Sequence, residues 1–554
     1  MGQRALDPQL MKFGQFAQTT IQNKYSKFPT LQDNQTWPEI AKRVAKNVFN
    51  VVGASKSLED ELAYRIALRQ ILPGGRYLYA AGRDYHQVQN CLLLRAEDSR
   101  EGWSEIMHNS SMALMSGAGI GIEYSNVREQ GALIKRTGGE ATGPTALMQM
   151  VNEAGRHIMQ GGSRRSAIWA GLGWDHPDIF KFIHMKDWSP EVRALKAKDF
   201  NFPAPMDGTN VSVRLDDNFF KAFHDPNNPK HQLAKDVYWE TVKQMLKTGE
   251  PGFSIDTGVN AGETLRNACT EVSSYTDSDI CNLASINLAR IDTLEDMLAC
   301  VEVATALLVA GTEYSDVPYN KVALVRDANR RLGLGLMGIH EWLVKHGKKY
   351  GPDDDLKKYL EIYEQSTTYA HKWETAWSLS KSVKTRAIAP TGTIGIVAET
   401  TTGCEPIFCT AYKRRYLNGR TWEYQYVIES IADRLISEMG INPEQIEDAY
   451  SIEPSRRVEF QAWLQQYVDH GISSTINLPA WGSPTNNEDT VEEFGTMLIQ
   501  YLPKLRGITC YPDGARGGQP LTRVSYQTAK KHVGQIFYES TDICDISKGG
   551  TCGA

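Results

Sequence analysis

The chain has 554 residues, a formal net charge of −6 and a pI near 6.1. This balance excludes a general polyanion-binding surface, so a nucleotide phosphate has to be held locally by a few groups, and nucleic acid is not an expected partner. No apolar run approaches the roughly 18–20 residues of a membrane span, and the N-terminus lacks an apolar signal core, so the expected setting is the cytoplasm, with no membrane contact.

Residues 1–75 read as helical and polar. Ser57 is a plausible N-cap for the helix that follows it, and Pro73-Gly-Gly is its stop. Beyond residue 76 short apolar runs alternate with Gly. Gly117-Ala-Gly-Ile-Gly-Ile-Glu123 reads as a strand with close backbone approach, and Pro144–Met159 as a helix with Pro at its first position. Gly161-Gly-Ser-Arg-Arg-Ser reads as a basic loop leading to a short strand that ends at Gly173. Helix is expected over most of 216–249, 293–313 and 354–380. Alternating helices and short strands over some 400 residues argue for an α/β domain rich in parallel strands. Doubly wound and barrel arrangements both satisfy that pattern.

The nine cysteines are dispersed, with no Cys-x-x-Cys pair of zinc-like spacing, and no metal site is read from the sequence. A lone free Cys usually packs as a small apolar residue. Asn267-Ala-Cys269-Thr-Glu271 departs from that pattern. On an extended strand Asn267, Cys269 and Glu271 share one face, which groups an orienting amide, a thiol and a base. Cys281 follows ten residues later, and Cys91 lies far upstream. Ala389-Pro-Thr-Gly-Thr-Ile-Gly395 reads either as a turn whose free backbone N–H groups receive an anion or as an ordinary Gly turn with an N-cap Thr. Trp174-Asp-His176-Pro-Asp178 reads as a structural turn. The Gly117–Gly121 run lacks the helix and acid of a dinucleotide fingerprint.

Eight blocks occur together in one order: Gln89-Asn-Cys91, Gly117-Ala-Gly-Ile-Gly-Ile, Thr137-Gly-Gly-Glu-Ala, Gln160-Gly-Gly-Ser-Arg-Arg, His176-Pro-Asp-Ile, Asn267-Ala-Cys-Thr-Glu, Cys281-Asn-Leu-Ala-Ser-Ile-Asn-Leu and Pro390-Thr-Gly-Thr. In this the chain resembles the catalytic subunit of ribonucleotide reductase from about Pro73 to Arg516. The resemblance implies a ten-stranded α/β barrel with Cys269 on a central finger loop. Residues 1–75 would be a helical lead-in without an ATP cone, 76–530 the barrel, and 531–554 a flexible tail. Cys269 would become a thiyl radical and take the substrate 3′ hydrogen, Glu271 would act as base, and Asn267 would orient the ribose. Cys91 and Cys281 would supply the electrons and end as a disulfide. Asn90, Ala118, Gly119, Thr391, Gly392, Thr393 and Ile394 would contact the substrate.

The same resemblance carries regulation and partners. Asp98, Ser99, Arg128, Lys135, Ser163, Arg164 and Arg165 would serve a deoxynucleotide or ATP effector that sets substrate choice. The short stretch from Tyr124 to Thr137 implies a symmetric homodimer. Cys544 and Cys552 would pass electrons from a thioredoxin-like or glutaredoxin-like reductant, although relatives space this pair more closely. Family members fed by a ferritin-like radical-generating partner carry Tyr-Tyr near the C-terminus. Here Ile508-Thr-Cys-Tyr511-Pro-Asp-Gly-Ala-Arg has one Tyr and resembles the adenosylcobalamin-dependent class. Adenosylcobalamin is therefore the expected cofactor, and a partner-fed subunit with Tyr511 as relay is the alternative.

Overall fold

Ten strands form one sheet in the computed structural model, which describes residues 12–27, 34–136, 138–160, 164–199, 202–418, 421–515 and 521–538. They are β1 (Ile71–Pro73), β2 (Cys91–Arg95), β3 (Gly119–Glu123), β4 (Ile168–Gly173), β5 (Thr209–Asp216), β6 (Gly252–Asp256), β7 (Asp279–Asn287), β8 (Arg331–Met337), β9 (Thr475–Leu478) and β10 (Gly507–Pro512). The strands β2, β3, β4, β5 and β6 are successive parallel neighbours. β7 pairs with β8, and β9 with β10, also in parallel. The two sets meet antiparallel where β7 pairs β2 and where β6 pairs β10.

Backbone hydrogen bonds continue beyond β8. Leu334 bonds to Thr385 and Ala387, and Ile388 bonds to Gly471 and Ser473, the chain that leads into β9. Hydrogen bonding therefore runs from β8 to β9 through residues 385–388, and the two ends of the strand order approach each other. β4 and β8 are buried along their whole length, as expected for parallel strands covered on both faces.

Helices cover the outside. Leu294–Tyr314 starts at Thr293, whose hydroxyl accepts from the Asp296 N–H at 3.1 Å. Its apolar residues run almost all round, and it lies in one core with Ile40, Val44 and Phe49 of helix Trp37–Asn50. A second core lies between the β2–β6 half and its helices. A third, small cluster of Cys91, Leu93, Leu265, Val272, Cys281 and Ala387 fills the interior.

Three local expectations are corrected. Ser55, not Ser57, caps helix Lys56–Ala67 by accepting from the Leu58 N–H. The helix expected over 216–249 is two, Asp217–His224 and His231–Thr248, because Pro226 and Pro229 interrupt it. The one expected over 354–380 is Asp354–Tyr363 and Ser366–Ala376. Ala411–Asn418, Thr421–Ile428, Leu521–Arg523 and Ile536–Tyr538 build a separate four-stranded antiparallel sheet that the sequence reading did not anticipate.

Candidate active site

Asn267, Cys269 and Glu271 do not lie on a strand. Leu265–Arg266 pairs with Ser273–Ser274, and residues 267–272 form the loop between them. Asn267 closes the loop three ways: its N–H donates to Val272 O, its carbonyl accepts from Thr270 N, and its side-chain oxygen accepts from Val272 N at 3.0 Å. Thr270 takes φ 68°, so the regular alternation of an extended chain is broken there. The result corrects the strand reading: Asn267 and Glu271 are buried while Cys269 is exposed at the loop's tip. The implied finger loop is thus present.

The loop's base is seated on the inner face of β3. A Cβ on Gly121 would stand 1.8 Å from the Arg266 carbonyl oxygen, and one on Gly119 would stand 3.1 Å from the Ala268 Cβ. The Gly-x-Gly run on β3 is therefore a seat for another backbone, which is the close approach its sequence suggested.

Cys91 and Cys281 are cross-strand register partners at the antiparallel seam, and both are buried. Burial pushes the Cys91 thiol well up, helped by Glu271, Cys281 and Cys269, while a hydrogen bond from the Asn267 side chain opposes the shift. Burial, then Asp279 and Glu271, push Cys281 up as well. Both sulfurs thus keep their hydrogens at neutral pH. Glu271 is raised to about 7 by burial, against a backbone hydrogen bond and one from Asn267. Its Oε2 is buried with no hydrogen-bond partner.

The two halves run in opposite directions. Residues just past the C-terminal end of 385–388 therefore share a rim with those at the N-terminal ends of β2 and β3. Thr391 stands at that rim with φ 50° and heads helix Gly392–Ala398. Its hydroxyl accepts from Gly403 N at 2.8 Å. The N–H groups of Gly392, Thr393 and Ile394 precede the first intrahelical bond, Gly395 N to Thr391 O. At the same rim, Asn90 accepts from Gly119 N and donates its own N–H to Cys281 O; Ala118 is buried beside them.

Four of the effector residues that the resemblance implies, Asp98, Ser99, Arg128 and Lys135, lie at the other end of β2. Arg128 Nε donates to Asp98 Oδ2 at 2.8 Å, and the Ser99 hydroxyl caps helix Arg100–Ser116. Lys135 is exposed in the turn after Leu133–Ile134. Arg164–Arg165 pairs with Met159–Gln160 and leads toward the start of β4, at the rim that carries Asn90 and Thr391. Ser163, Cys544 and Cys552 lie outside the described residues. His176 is structural, as expected: Nε2 bonds to Val127 O and Nδ1 accepts from Asp178 N. Among the described residues no cluster of three or more His, Cys, Asp or Glu could hold a metal, and no helix is long and apolar enough to cross a membrane.

The sequence reading missed the polar layer beneath the loop. Glu263 accepts from Lys384 Nζ at 2.5 Å, Ser273 Oγ at 2.8 Å and Arg506 at 3.0 Å. Ser273 N–H in turn donates to His470 Nδ1. These residues are scattered from 263 to 506 and carry no spacing that links them.

Comparison with known proteins matches residues 89–385 and 380–511 to the family model "Ribonucleotide reductase, barrel domain". The chain belongs to the ribonucleotide reductase family. The vitamin B12-dependent ribonucleoside-diphosphate reductase of Mycobacterium tuberculosis is 26% identical over 89% of this chain and 75% of its own length. That of Thermoplasma acidophilum is 28% identical over 86% of this chain and 67% of its own. Among solved structures, the class Id ribonucleotide reductase alpha subunit of Actinobacillus ureae superposes with a TM-score of 0.72 at 15% identity. It covers 92% of this chain and 98% of that one, which is a likeness of fold.

Proposed function

We propose that this chain reduces ribonucleotides to 2′-deoxyribonucleotides by radical chemistry initiated by adenosylcobalamin. The observation that carries the reading is the division of three thiols in one interior: two buried and register-paired, one exposed on a loop with Asn267 and Glu271. The names of the M. tuberculosis and T. acidophilum relatives support the cofactor. So does the accessibility of Cys269, the thiol that such a cofactor has to reach. When bound, adenosylcobalamin supplies the organic radical by homolysis of its cobalt–carbon bond.

The chain's own residues do the rest. Cys269, as a thiyl radical, takes the hydrogen from C3′ and later returns it. Glu271, ionised above about pH 7, accepts the 3′-hydroxyl proton. Asn267 orients the ribose hydroxyls. The 2′-hydroxyl leaves as water, and the two electrons come from Cys91 and Cys281, which close a disulfide. Directly opposed residues of an antiparallel pair have Cα atoms about 4.5–5.5 Å apart, within the disulfide range. The free N–H groups of 392–394 receive the substrate phosphates, with Asn90, Ala118 and Gly119 alongside the nucleotide.

An effector nucleotide binds near Asp98, Ser99, Arg128 and Lys135, and Ser163, Arg164 and Arg165 convey its identity to the catalytic rim. Met112 and Met115 on helix Arg100–Ser116 and Met150 on the adjacent helix Pro144–Arg156 are exposed, which supports a symmetric homodimer across these helices. A thioredoxin-like or glutaredoxin-like protein regenerates the thiols through Cys544 and Cys552, in the cytoplasm. The test is turnover by the purified chain with adenosylcobalamin, a dithiol and a ribonucleotide. Activity without a second protein is the expected outcome; dependence on a metal-containing partner subunit overturns the choice of cofactor.

A further inference from the structure

The loop that carries Glu271 is gripped from below by a segment distant in sequence. Gly471 N–H donates to the Glu271 carbonyl oxygen at 2.6 Å, and His470 Nδ1 accepts from the Ser273 N–H at 3.2 Å. The two bonds bracket Glu271 and the residues after it. The grip is itself anchored. His470 N–H donates to Arg386 O in the barrel wall, and Gln465 Nε2 donates to the His470 carbonyl at 2.8 Å. The approach is close enough that a Cβ on Gly471 would lie 3.2 Å from the carbonyl oxygens of both Thr270 and Glu271. On the far side, Ser273 Oγ is held by Glu263, itself fixed by Lys384 and Arg506.

We infer that His470 is a positioning residue, a neutral imidazole whose Nδ1 and whose neighbour Gly471 set the height and direction of Glu271 beneath the substrate. The chemistry of the surroundings suits this role. His470 is fully buried, and burial together with Lys384, Arg331, Arg506 and Arg266 holds it well below its ordinary pKa. A ring that never takes a second proton always presents the same lone pair at Nδ1. Its proton is thereby assigned to Nε2, which has no hydrogen-bond partner in this structure. Glu271 has the complementary need. Its Oε2 is buried and unbonded, and the hydrogen bonds its carboxylate takes come from its own backbone and from Asn267 on the same loop, so its direction follows the loop that carries it.

The inference rests on Glu271 being the base, and the experiment separates the two. His470→Asn keeps an acceptor oxygen where Nδ1 sits; His470→Gln carries it outward toward the Nε2 position. Both are assayed in the full-length chain with adenosylcobalamin, dithiol and ribonucleotide, and the fold is checked by circular dichroism and thermal midpoint. The Asn variant should keep kcat within about threefold. The Gln variant and Gly471→Ala should lose about a hundredfold in kcat with KM unchanged, the scale of a misplacement near 1 Å. Equal kcat in the Asn and Gln variants, a large kcat loss in the Asn variant, or an undiminished kcat in Gly471→Ala overturns the assignment. If the Gln variant does not fold, the other two still decide. If instead Glu271→Gln keeps full turnover, the base itself is wrong, however the His470 variants behave.

Discussion

Cys91 on β2 and Cys281 on β7 face each other in register across the antiparallel seam that joins the two parallel halves of the barrel. A thiol pair at that seam can oxidise without either strand leaving its neighbours, because opposed Cα atoms already lie within disulfide reach. Cys91→Ser and Cys281→Ser should each abolish turnover and leave the fold intact. Thiol titration after substrate is added to the reduced wild-type chain should show two thiols lost per site, and none in either variant. Retention of turnover by one variant would remove that residue from the redox pair.

The role proposed for Glu271 ties turnover to stability. Its folded value of about 7 stands above its ordinary 4.5. Between those values the folded chain holds a proton that the unfolded chain has released. Stability therefore falls as pH rises from about 4.5 to about 7 and is level beyond. The shift corresponds to about 3 kcal/mol. Glu271→Gln should gain up to that amount over wild type in denaturant titrations at pH 8, and far less at pH 4. The same variant should lose about 10²–10⁴-fold in kcat, and the acid limb of wild-type kcat/KM should lie near pH 7. A stability difference that does not change with pH would contradict the buried ionisation.

The residues of the candidate site could be picked out because they sit in short, chemically unusual words: Asn-x-Cys-x-Glu, a Gly-x-Gly strand, Pro-Thr-Gly-Thr. Its geometry was less so. Alternation along a strand put Asn267, Cys269 and Glu271 on one face, but the Asn267 side chain reaches Val272 and closes a loop that sends Cys269 out and Glu271 in. A local hydrogen bond won over periodicity. The layer beneath was not legible at all. Glu263, Lys384, His470 and Arg506 meet through topology, and each alone reads as an ordinary polar residue. Helix ends failed for a smaller reason, since two serines two residues apart, Ser55 and Ser57, both suit a cap.

Gly121 tests whether the finger loop needs its seat on β3. A methyl group there would meet the Arg266 carbonyl at 1.8 Å, a backbone atom that cannot rotate away. Overpacking of this kind costs about 1–3 kcal/mol and displaces what it strikes. Gly121→Ala should lower the thermal midpoint and cut kcat more than it raises KM, while effector binding, at the opposite end of β2, should persist in a direct binding measurement. Wild-type kcat in this variant would show that the loop can be carried elsewhere.

Thr393 offers a hydroxyl beside the free N–H groups at the head of helix Gly392–Ala398. A hydrogen bond to a charged partner is worth about 1.5–3 kcal/mol. Thr393→Val should therefore raise KM for the ribonucleotide about ten- to a hundredfold with little change in kcat. The corresponding nucleoside, which lacks phosphates, should bind wild type and variant alike in a calorimetric titration. An equal loss for both ligands would place Thr393 against the base or sugar instead.

Tyr511 separates the two routes by which a radical could reach Cys269. It lies on β10 opposite Asn477 of β9, and its neighbour Cys510 is buried. A subunit fed from a partner protein would need this phenol as a stepping stone, since its ring O–H is the group that can be oxidised and restored. A chain served by adenosylcobalamin bound beside the exposed Cys269 has no such need. Tyr511→Phe keeps the ring's volume and removes the O–H, so its expected kcat with adenosylcobalamin, dithiol and ribonucleotide is of wild-type order. Loss of turnover in that variant, with cofactor binding and thermal midpoint preserved, would favour the relay and the partner-fed reading.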